Sequence, residues 1–254
     1  MMSTRETSLP IVTTSAAEAA HSVATEIAEL IRARRRGGRA AVLGLPTGRT
    51  PLAVYAALVE LHRHSALDFS NVVTFNLDEY LGLAPQHPQT FRRYMREHLF
   101  DAVGLDPANA WIPASDVAPA QVEAHCREYE SAILAAGGID LMLLGIGRNG
   151  HIGFNEPGSA RDSRTREVRL AESTREDCRA HFGGAAHVPE RAITMGVATI
   201  LAARRIRVLA FGAAKREIVR RTLDEATGPA LPATYLRGHA DVKLFVDAEA
   251  RPAS

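Results

Sequence analysis

Short apolar segments alternate along the chain with segments in which apolar residues recur at the spacing of a helix. The apolar runs predict buried strands at 40–45, 72–77, 139–146, 206–211 and 242–246. Helical patterns occupy about 15–36, 50–61, 90–100, 118–136 and 215–225. This alternation is typical of a parallel sheet covered by helices. We therefore predict an α/β fold with an open, mostly parallel, doubly wound sheet of the Rossmann-like kind.

Residues typical of helix ends mark two of these helices. Ser15 followed by Glu18 is a capping box, in which each side chain accepts from the other residue's backbone N–H. Thr50 before Pro51 predicts an N-cap with proline at the first helical position. No segment resembles a linker, so we expect residues 1–254 to form a single domain. The stretch 157–190 is polar, arginine-rich and weakly periodic, which makes it the natural candidate for a mobile lid.

Net charge and cysteine content limit which binding partners and which cellular compartment are expected for this protein. The formal net charge is +1, which gives no reason to expect nucleic acid or an anionic membrane. Cys126 and Cys178 are too few for a disulfide framework and predict thiols in a reducing compartment. The start of the chain does not resemble a signal peptide, and no apolar run approaches the ~18 residues of a membrane span. We therefore expect a cytoplasmic monomer or homo-oligomer whose partner is a small molecule.

Unusual residues cluster just after four of the predicted strands, behind Leu45, Leu77, Ile146 and Phe211. In open α/β sheets, ligands bind outside the carboxyl ends of the strands, where helix N-termini converge. The four signals therefore predict one binding site at one edge of the sheet.

The segment 44–51, Gly-Leu-Pro-Thr-Gly-Arg-Thr-Pro, joins a predicted strand to a predicted helix. The N–H groups and the dipole of a helix N-terminus favour an anion, and phosphate in particular. The candidate phosphate contacts are Pro46, Thr47, Gly48, Arg49 and Thr50. The alternative is a tight turn before a capped helix, since strand–glycine–helix turns are common. The segment is not a P-loop, because it lacks the Gly-Lys-Ser/Thr ending.

Asp78 and Glu79 place two adjacent carboxylates at the end of a predicted strand. Partial burial would raise the pKa of one of them and suit it to abstracting a proton. The alternatives are a solvated acidic loop, or Asp78 as a helix cap.

The segment 145–157 holds four glycines and His151, with Glu156 five residues further on. The glycines indicate a tight loop whose backbone approaches another group closely. Histidine is suited to moving protons near neutral pH, and a carboxylate can orient it and stabilise its charged form. A single histidine is more often structural, but this glycine-rich setting after a buried strand favours catalysis. None of the ten histidines has the His-x-x-x-His spacing of a helical metal site, so we expect no metal.

Two cations are candidate phosphate ligands. Lys215 lies just past a glycine at a predicted strand-to-helix turn, where its charge and the helix dipole can act together. Arg175 follows Ser173 and Thr174. Solvation at the surface is the alternative for either side chain.

Together these motifs resemble the glucosamine-6-phosphate deaminase family, and they occur in that family's order over about 40–220. The matching segments are Gly-Leu-Pro-Thr-Gly at 44–48, Phe-Asn-Leu-Asp-Glu-Tyr at 75–80, Gly-His-Ile at 150–152, Phe-Asn-Glu-Pro at 154–157, Ser-Arg-Thr-Arg at 163–166, Thr-Met-Gly-Val at 194–197 and the glycine-to-lysine turn at 212–215. The resemblance implies conversion of glucosamine 6-phosphate to fructose 6-phosphate and ammonia, with no metal or organic cofactor.

The resemblance also implies catalytic roles. His151, paired with Glu156, would open the sugar ring, and Asp78 would move a proton from C2 to C1 with Glu79 in support. Asn149 stands beside the histidine where better-known members carry aspartate. Asparagine can hydrogen-bond and orient His151 but supplies no negative charge, so we expect a changed pH profile and not a loss of activity.

For the phosphate, the resemblance implies the 46–50 loop, Arg175 and Lys215 as ligands. Arg49 replaces a small residue of the family's loop, where it adds a cation or crowds the site. Val168 stands where allosterically regulated members have lysine, and the C-terminus is short. We therefore expect no activation by N-acetylglucosamine 6-phosphate.

Three other functions stay open. A 6-phosphogluconolactonase shares the fold and a Gly-His loop, and a galactosamine-6-phosphate deaminase acts on a substrate that differs at one hydroxyl. Outside the enzymes, a sugar-phosphate-sensing domain is the alternative. Such regulators also carry a helix-turn-helix segment, whereas the residues before position 40 read as one helix of balanced charge.

Overall fold

The computed structural model describes residues 9–184 and 187–253. The strands within these residues are β1 (Ile11–Thr13), β2 (Ala41–Leu45), β3 (Val72–Asn76), β4 (Asp78–Tyr80), β5 (Ala110–Trp111), β6 (Leu141–Gly145), β7 (Arg166–Arg169), β8 (Arg191–Thr194), β9 (Ile206–Ala210) and β10 (Val242–Val246). Seven of them form a main sheet in the order β1-β10-β9-β6-β2-β3-β5, with parallel pairing throughout. The predicted open, parallel α/β sheet is therefore confirmed.

The α-helices of the same residues are α1 (Ala16–Arg36), α2 (Leu52–Ser65), α3 (Phe91–Met95), α4 (Asp101–Val103), α5 (Val122–Ala135), α6 (Glu172–Phe182), α7 (Val197–Leu201) and α8 (Arg216–Asp224). A π-helical turn, Arg96–Phe100, joins α3 to α4, so the helix predicted at 90–100 is continuous but not uniform. Short 3₁₀ turns lie at Pro107–Asn109, Pro119–Gln121, Ala213–Lys215 and Pro232–Gly238.

The two predicted helix starts have different outcomes. The capping box of α1 is confirmed, because Ser15 Oγ accepts from Glu18 N at 3.2 Å and Ser15 N donates to Glu18 Oε2 at 3.0 Å. At α2 the prediction was wrong by one position, since Pro51 itself occupies the cap and no side chain caps that end. Thr50 is instead free to contribute to the lining of the cavity described below.

The main sheet is covered on both faces because its strands alternate between two hydrophobic clusters. Leu43 and Leu45 of β2 pack with α1 and α2 on one face, whereas Val42 packs on the other with residues of α5, α7 and α8. Consecutive side chains of a strand point to opposite faces, so a strand buried on both sides is apolar throughout. With both faces filled, the carboxyl edge of the sheet is the place left for a ligand.

A second, antiparallel sheet has the order β4-β8-β7 and continues directly from the main sheet at the end of β3. Asp78 of β4 pairs with Thr194 of β8, so this segment is a paired strand and not the solvated acidic loop that was one of the alternatives. The weakly periodic stretch 157–190 contributes β7 and α6. Within it, Val168 pairs with Ala192 and packs against a small cluster that contains Tyr80.

Candidate active site

A cavity of about 900 Å³ lies at the carboxyl ends of the parallel strands. Its walls come from the loop after β2, from β4, from the loop after β6, from the 3₁₀ turn after β9 and from α6. The lining includes eight of the sequence-predicted site residues: Pro46, Thr47, Gly48, Arg49, Thr50, Asp78, His151 and Lys215. The four separate sequence signals therefore do meet at one edge of the sheet.

Asp78 presents a carboxylate to this cavity from a buried position. The side chain belongs to β4, and Gly153 of the glycine-rich loop lies against it. A Cβ on Gly153, whose φ is +55°, would lie 3.3 Å from Asp78 Oδ2, so the close approach favours glycine. Burial and the like charge of Glu79 raise the pKa of Asp78 to about 8, although the N–H of Phe154 lowers it. The group is therefore poised to exchange a proton near neutral pH.

Glu79 faces away from the cavity and holds the start of α3. Its Oε1 accepts from the N–H groups of Tyr80 and Phe91, and its Oε2 accepts from Arg92 N, at 2.9–3.0 Å. Burial raises the pKa of Glu79 to about 7 against the lowering effect of these amides. Glu79 thus anchors the strand that carries Asp78 and sits beside it as a second buried carboxyl group.

The imidazole of His151 lies close against Gly147 of its own loop. A Cβ on Gly147 would approach the imidazole to 2.2 Å, so only glycine leaves room for the ring. The Nδ1 atom of His151 lies 3.5 Å from Glu156 Oε2, which is the pairing predicted from sequence. Burial opposes ionisation of Glu156, but the contact with His151 and hydrogen bonds from Thr174 and Asn149 outweigh it and lower its pKa to about 2.

Asn149 forms hydrogen bonds to both members of this pair. Its Nδ2 donates to Glu156 Oε2 at 2.7 Å, and its Oδ1 accepts from the backbone N–H of His151 at 3.2 Å. The side chain therefore positions the loop and the carboxylate and does not bond the imidazole itself. Neither Asn149 nor Glu156 lines the main cavity, and Asn149 instead lines a smaller one of about 310 Å³ next to it.

The loop 46–50 and Lys215 also line the cavity. The hydroxyl of Tyr94 donates to Gly48 O at 2.6 Å, and that of Tyr55 donates to Pro46 O, so two tyrosines brace the loop. Lys215 Nζ donates to Ile146 O at 2.7 Å, and burial lowers the pKa of this lysine. A partly desolvated ammonium beside a braced, glycine-containing loop is suited to an anionic group.

Sequence reasoning missed the part of the wall that α6 supplies. Thr174, Asp177 and Cys178 line the cavity, and Asp177 forms an ion pair with Arg148 of the glycine-rich loop. Arg175 lies on the same helix but not among the residues that line the cavity. The one signal available in the sequence was the polar composition of the helix, which does not indicate which side faces a ligand.

Two negative findings apply to residues 9–184 and 187–253. No group of three or more His, Cys, Asp or Glu side chains is arranged to hold a metal ion. No helix within those ranges has the length and apolar character needed to cross a bilayer.

Fold and site together define an α/β protein that gathers an acid, an imidazole–carboxylate pair and a cation around a cavity sized for a small anionic ligand. The family model described as glucosamine-6-phosphate isomerases/6-phosphogluconolactonase matches residues 14–245. The chain belongs to this family.

Individual relatives refine the comparison. A glucosamine-6-phosphate deaminase of Geobacillus sp. (strain WCH70) is 46% identical over 225 residues, which cover 88% of each chain. Glucosamine-6-phosphate deaminase 1 of Giardia intestinalis is 46% identical over 239 residues, covering 92% of this chain and 86% of the relative. A solved monomeric glucosamine-6-phosphate deaminase superposes with a TM-score of 0.90 at 39% identity, covering 95% of this chain and 98% of the other. A 6-phosphogluconolactonase from Trypanosoma cruzi, at 19% identity and TM-score 0.74, shares the fold.

Proposed function

We propose that this protein converts glucosamine 6-phosphate and water into fructose 6-phosphate and ammonia. The observation that carries the proposal is the convergence of buried Asp78, the His151–Glu156 pair and Lys215 on one cavity. The relatives that are 46% identical over most of the chain support the same reaction. The protein is then a hydrolase acting on a carbon–nitrogen bond, with a place in the breakdown of amino sugars.

The phosphate of the substrate binds between the 46–50 loop and Lys215. Backbone amides at the start of α2 and the ammonium group form charge-assisted hydrogen bonds to its oxygens. Arg49 is exposed at the cavity wall and adds a second positive charge from the solvent side. Arg175 lies on α6 but not in the cavity lining, so we assign the phosphate contacts to Lys215 and the loop.

His151 opens the sugar ring. The imidazole accepts the proton of the C1 hydroxyl and returns a proton to the ring oxygen, which breaks the C1–O5 bond and leaves an open-chain aldehyde. Glu156 stabilises the imidazolium that forms between these two transfers. Asn149 keeps Glu156 in place, and because it is neutral it adds no negative charge beside the histidine.

Asp78 then performs the isomerisation. The ionised carboxylate takes the proton from C2, and the electron pair left behind forms the C1–C2 double bond of an enolamine, while the aldehyde oxygen takes a proton from the substrate's own ammonium group and becomes a hydroxyl. The carboxyl group returns its proton to C1, which leaves a protonated imine at C2. Water adds to that imine, and ammonia leaves to give the ketone of fructose 6-phosphate. The raised pKa of Asp78 suits a group that must both take and return one proton.

Several other features complete the proposal. The reaction uses no metal or organic cofactor, since each step is a proton transfer or the addition of water. Residues 1–254 act as one domain, with α6 and its flanking segments in 157–190 as a mobile lid. The protein works in the cytoplasm as a monomer or homo-oligomer, without a nucleic-acid or membrane partner. Without a lysine at Val168, N-acetylglucosamine 6-phosphate does not activate it.

An ammonia-release assay tests the proposal directly. Glucosamine 6-phosphate, galactosamine 6-phosphate and 6-phosphogluconolactone are offered in parallel, with lactone hydrolysis followed as acid release. We expect ammonia from glucosamine 6-phosphate, less from its galactosamine epimer, and no acceleration of lactone opening. Preferred hydrolysis of the lactone would assign the chain to the other activity in the family's description, and binding of sugar phosphate without turnover would favour a sensor.

A further inference from the structure

Helix α6 buries one residue against the catalytic loop, and that residue is polar. All of α6 lies within the described residues, and Thr174, 4% exposed, is its buried member. A buried hydroxyl group is nearly always hydrogen-bonded. Thr174 Oγ1 donates to Glu156 Oε1 at 2.5 Å.

The carboxylate of Glu156 is held at both of its oxygens. Oε1 accepts from Thr174 and, at a longer 3.4 Å, from the N–H of Ala171. Oε2 accepts from Asn149 Nδ2 at 2.7 Å and faces His151 Nδ1 at 3.5 Å. The last torsion of a glutamate side chain is soft, so its donors decide how the carboxylate turns.

Thr174 supplies the strong donor on the oxygen that points away from the histidine. We propose that Thr174 is a positioning residue whose hydroxyl fixes Glu156 Oε1 and so keeps Oε2 directed at Nδ1 of His151. The identity of the step it serves, opening of the sugar ring, rests on the proposed function, whereas the contact exists without substrate. Because Thr174 belongs to α6 and His151 to the loop after β6, this hydrogen bond makes the catalytic pair depend on the placement of α6.

Two substitutions separate the hydroxyl from the shape of the side chain. Thr174→Val keeps the volume and branching but removes the donor, and Thr174→Ser keeps the donor but removes a methyl group. Loss of a hydrogen bond to a charged group typically corresponds to a factor of about ten or more. We expect kcat to fall about tenfold in Thr174→Val with KM within about twofold, and Thr174→Ser to keep most of the wild-type kcat.

A purely structural role for Thr174 predicts different results in two controls. An open-chain analogue with C1 reduced to an alcohol needs no ring opening, so its affinity should be equal in wild type and Thr174→Val. In a Glu156→Gln background, Thr174→Val should add little further loss of kcat, since residues that act through one another are not additive. A full additional tenfold loss in that background, or lost affinity for the analogue, would overturn the proposal.

The ring ¹⁵N resonances of His151, recorded without substrate, give a readout that does not depend on the reaction. We expect the spectra of wild type and Thr174→Ser to agree and that of Thr174→Val to shift at the nitrogen facing Glu156. Unchanged His151 resonances in Thr174→Val would refute the positioning role. If valine prevents folding, Thr174→Ala provides the same comparison. A wild type without ammonia release defeats the proposed function but leaves this spectral test in force, and active wild type with fully active Thr174→Val defeats only the inference.

Discussion

Asp78 and Glu156 are two carboxylates of one site whose environments move their pKa values in opposite directions. Burial and the neighbouring charge of Glu79 raise the pKa of Asp78 to about 8. Glu156 is also desolvated, yet His151, Thr174 and Asn149 lower its pKa to about 2. The same type of side chain is therefore ready to exchange a proton at one position and permanently charged at the other.

The difference lies in the groups that face each carboxylate. Glu156 has the imidazole on one oxygen and hydrogen-bond donors on both, which stabilise the ionised form. Asp78 has another buried carboxyl group as its neighbour and the N–H of Phe154 as compensation. Pairs of titratable groups with pKa values pushed apart mark the acid–base assignments of a site. On this basis we propose that Asp78 exchanges protons with the substrate and that Glu156 serves the histidine.

The largest expected effect is that of Asp78→Asn. The amide keeps the size of the side chain but cannot accept the C2 proton, so we expect turnover to fall by about 10²–10⁴, the range typical of a general base. The affinity for the reduced open-chain analogue should stay within a few-fold. Ammonia release and isothermal titration measure the two quantities, and near-normal turnover would remove Asp78 from the mechanism.

Glu156→Gln should have the next largest effect, because it removes the charge that stabilises protonated His151. We expect kcat to fall about 10²-fold, and His151→Gln to fall by a similar factor. A pre-opened substrate analogue bypasses the ring-opening step and should recover part of the loss in both variants but none of it in Asp78→Asn. Equal recovery in all three variants would show that the two carboxylates do not serve separate steps.

The positions of Asp78 and Glu156 in one site could be predicted from the sequence for a simple reason. Asp78 and the loop that carries His151 and Glu156 each follow a buried strand, and the carboxyl ends of parallel strands must meet at one edge of the sheet. Their order along the chain and the glycines around them were also visible without coordinates. The parallel sheet itself was predictable because apolar runs of strand length alternate with helical patterns.

The sequence did not predict which neighbours shift the pKa values of Asp78 and Glu156. Thr174 lies on a helix with weak apolar periodicity, and only its packing against the loop brings its hydroxyl to Glu156. Glu79 appeared equivalent to Asp78 in the sequence, whereas its strand turns it toward the N–H groups at the start of α3. Thr50 was assigned as a helix cap by its sequence neighbours, but Pro51 takes that position. The positions of Thr174 and Glu79 depend on contacts across the fold that local propensity does not encode.

A smaller effect is expected at the phosphate end, where Lys215→Ala removes one cation without touching the proton-transfer groups. We expect KM for the sugar phosphate to rise about tenfold, with kcat changed by less than about threefold. Arg216→Ala is the matched control, since Arg216 is the next residue along the chain and its Nε donates to Glu249 O at the surface. An unchanged KM in Lys215→Ala, or an equal rise in both variants, would exclude Lys215 as a phosphate ligand.

The smallest effects concern stability, and they should have opposite signs for the two carboxylates. Because the pKa of Asp78 is raised on folding, its ionisation opposes the fold, and stability falls as pH rises from about 4, where the unfolded chain ionises, to about 8. The pKa of Glu156 is lowered on folding, so its contribution is present above the ordinary value of 4.5 and is lost as pH falls toward 2.

At pH 8, Asp78→Asn should therefore raise the melting temperature and Glu156→Gln should lower it, each by about 2–4 °C for every kcal/mol involved in a chain of this size. Near pH 4 the gain from Asp78→Asn should disappear, because the wild-type carboxyl group is then protonated in the folded protein and its charge no longer opposes folding. Melting curves of the wild type and both variants between pH 4 and pH 8.5 measure these differences. If the gain from Asp78→Asn persists unchanged to pH 4, the amide stabilises the fold by contacts of its own. Ionisation of Asp78 would then not be what destabilises the wild-type fold.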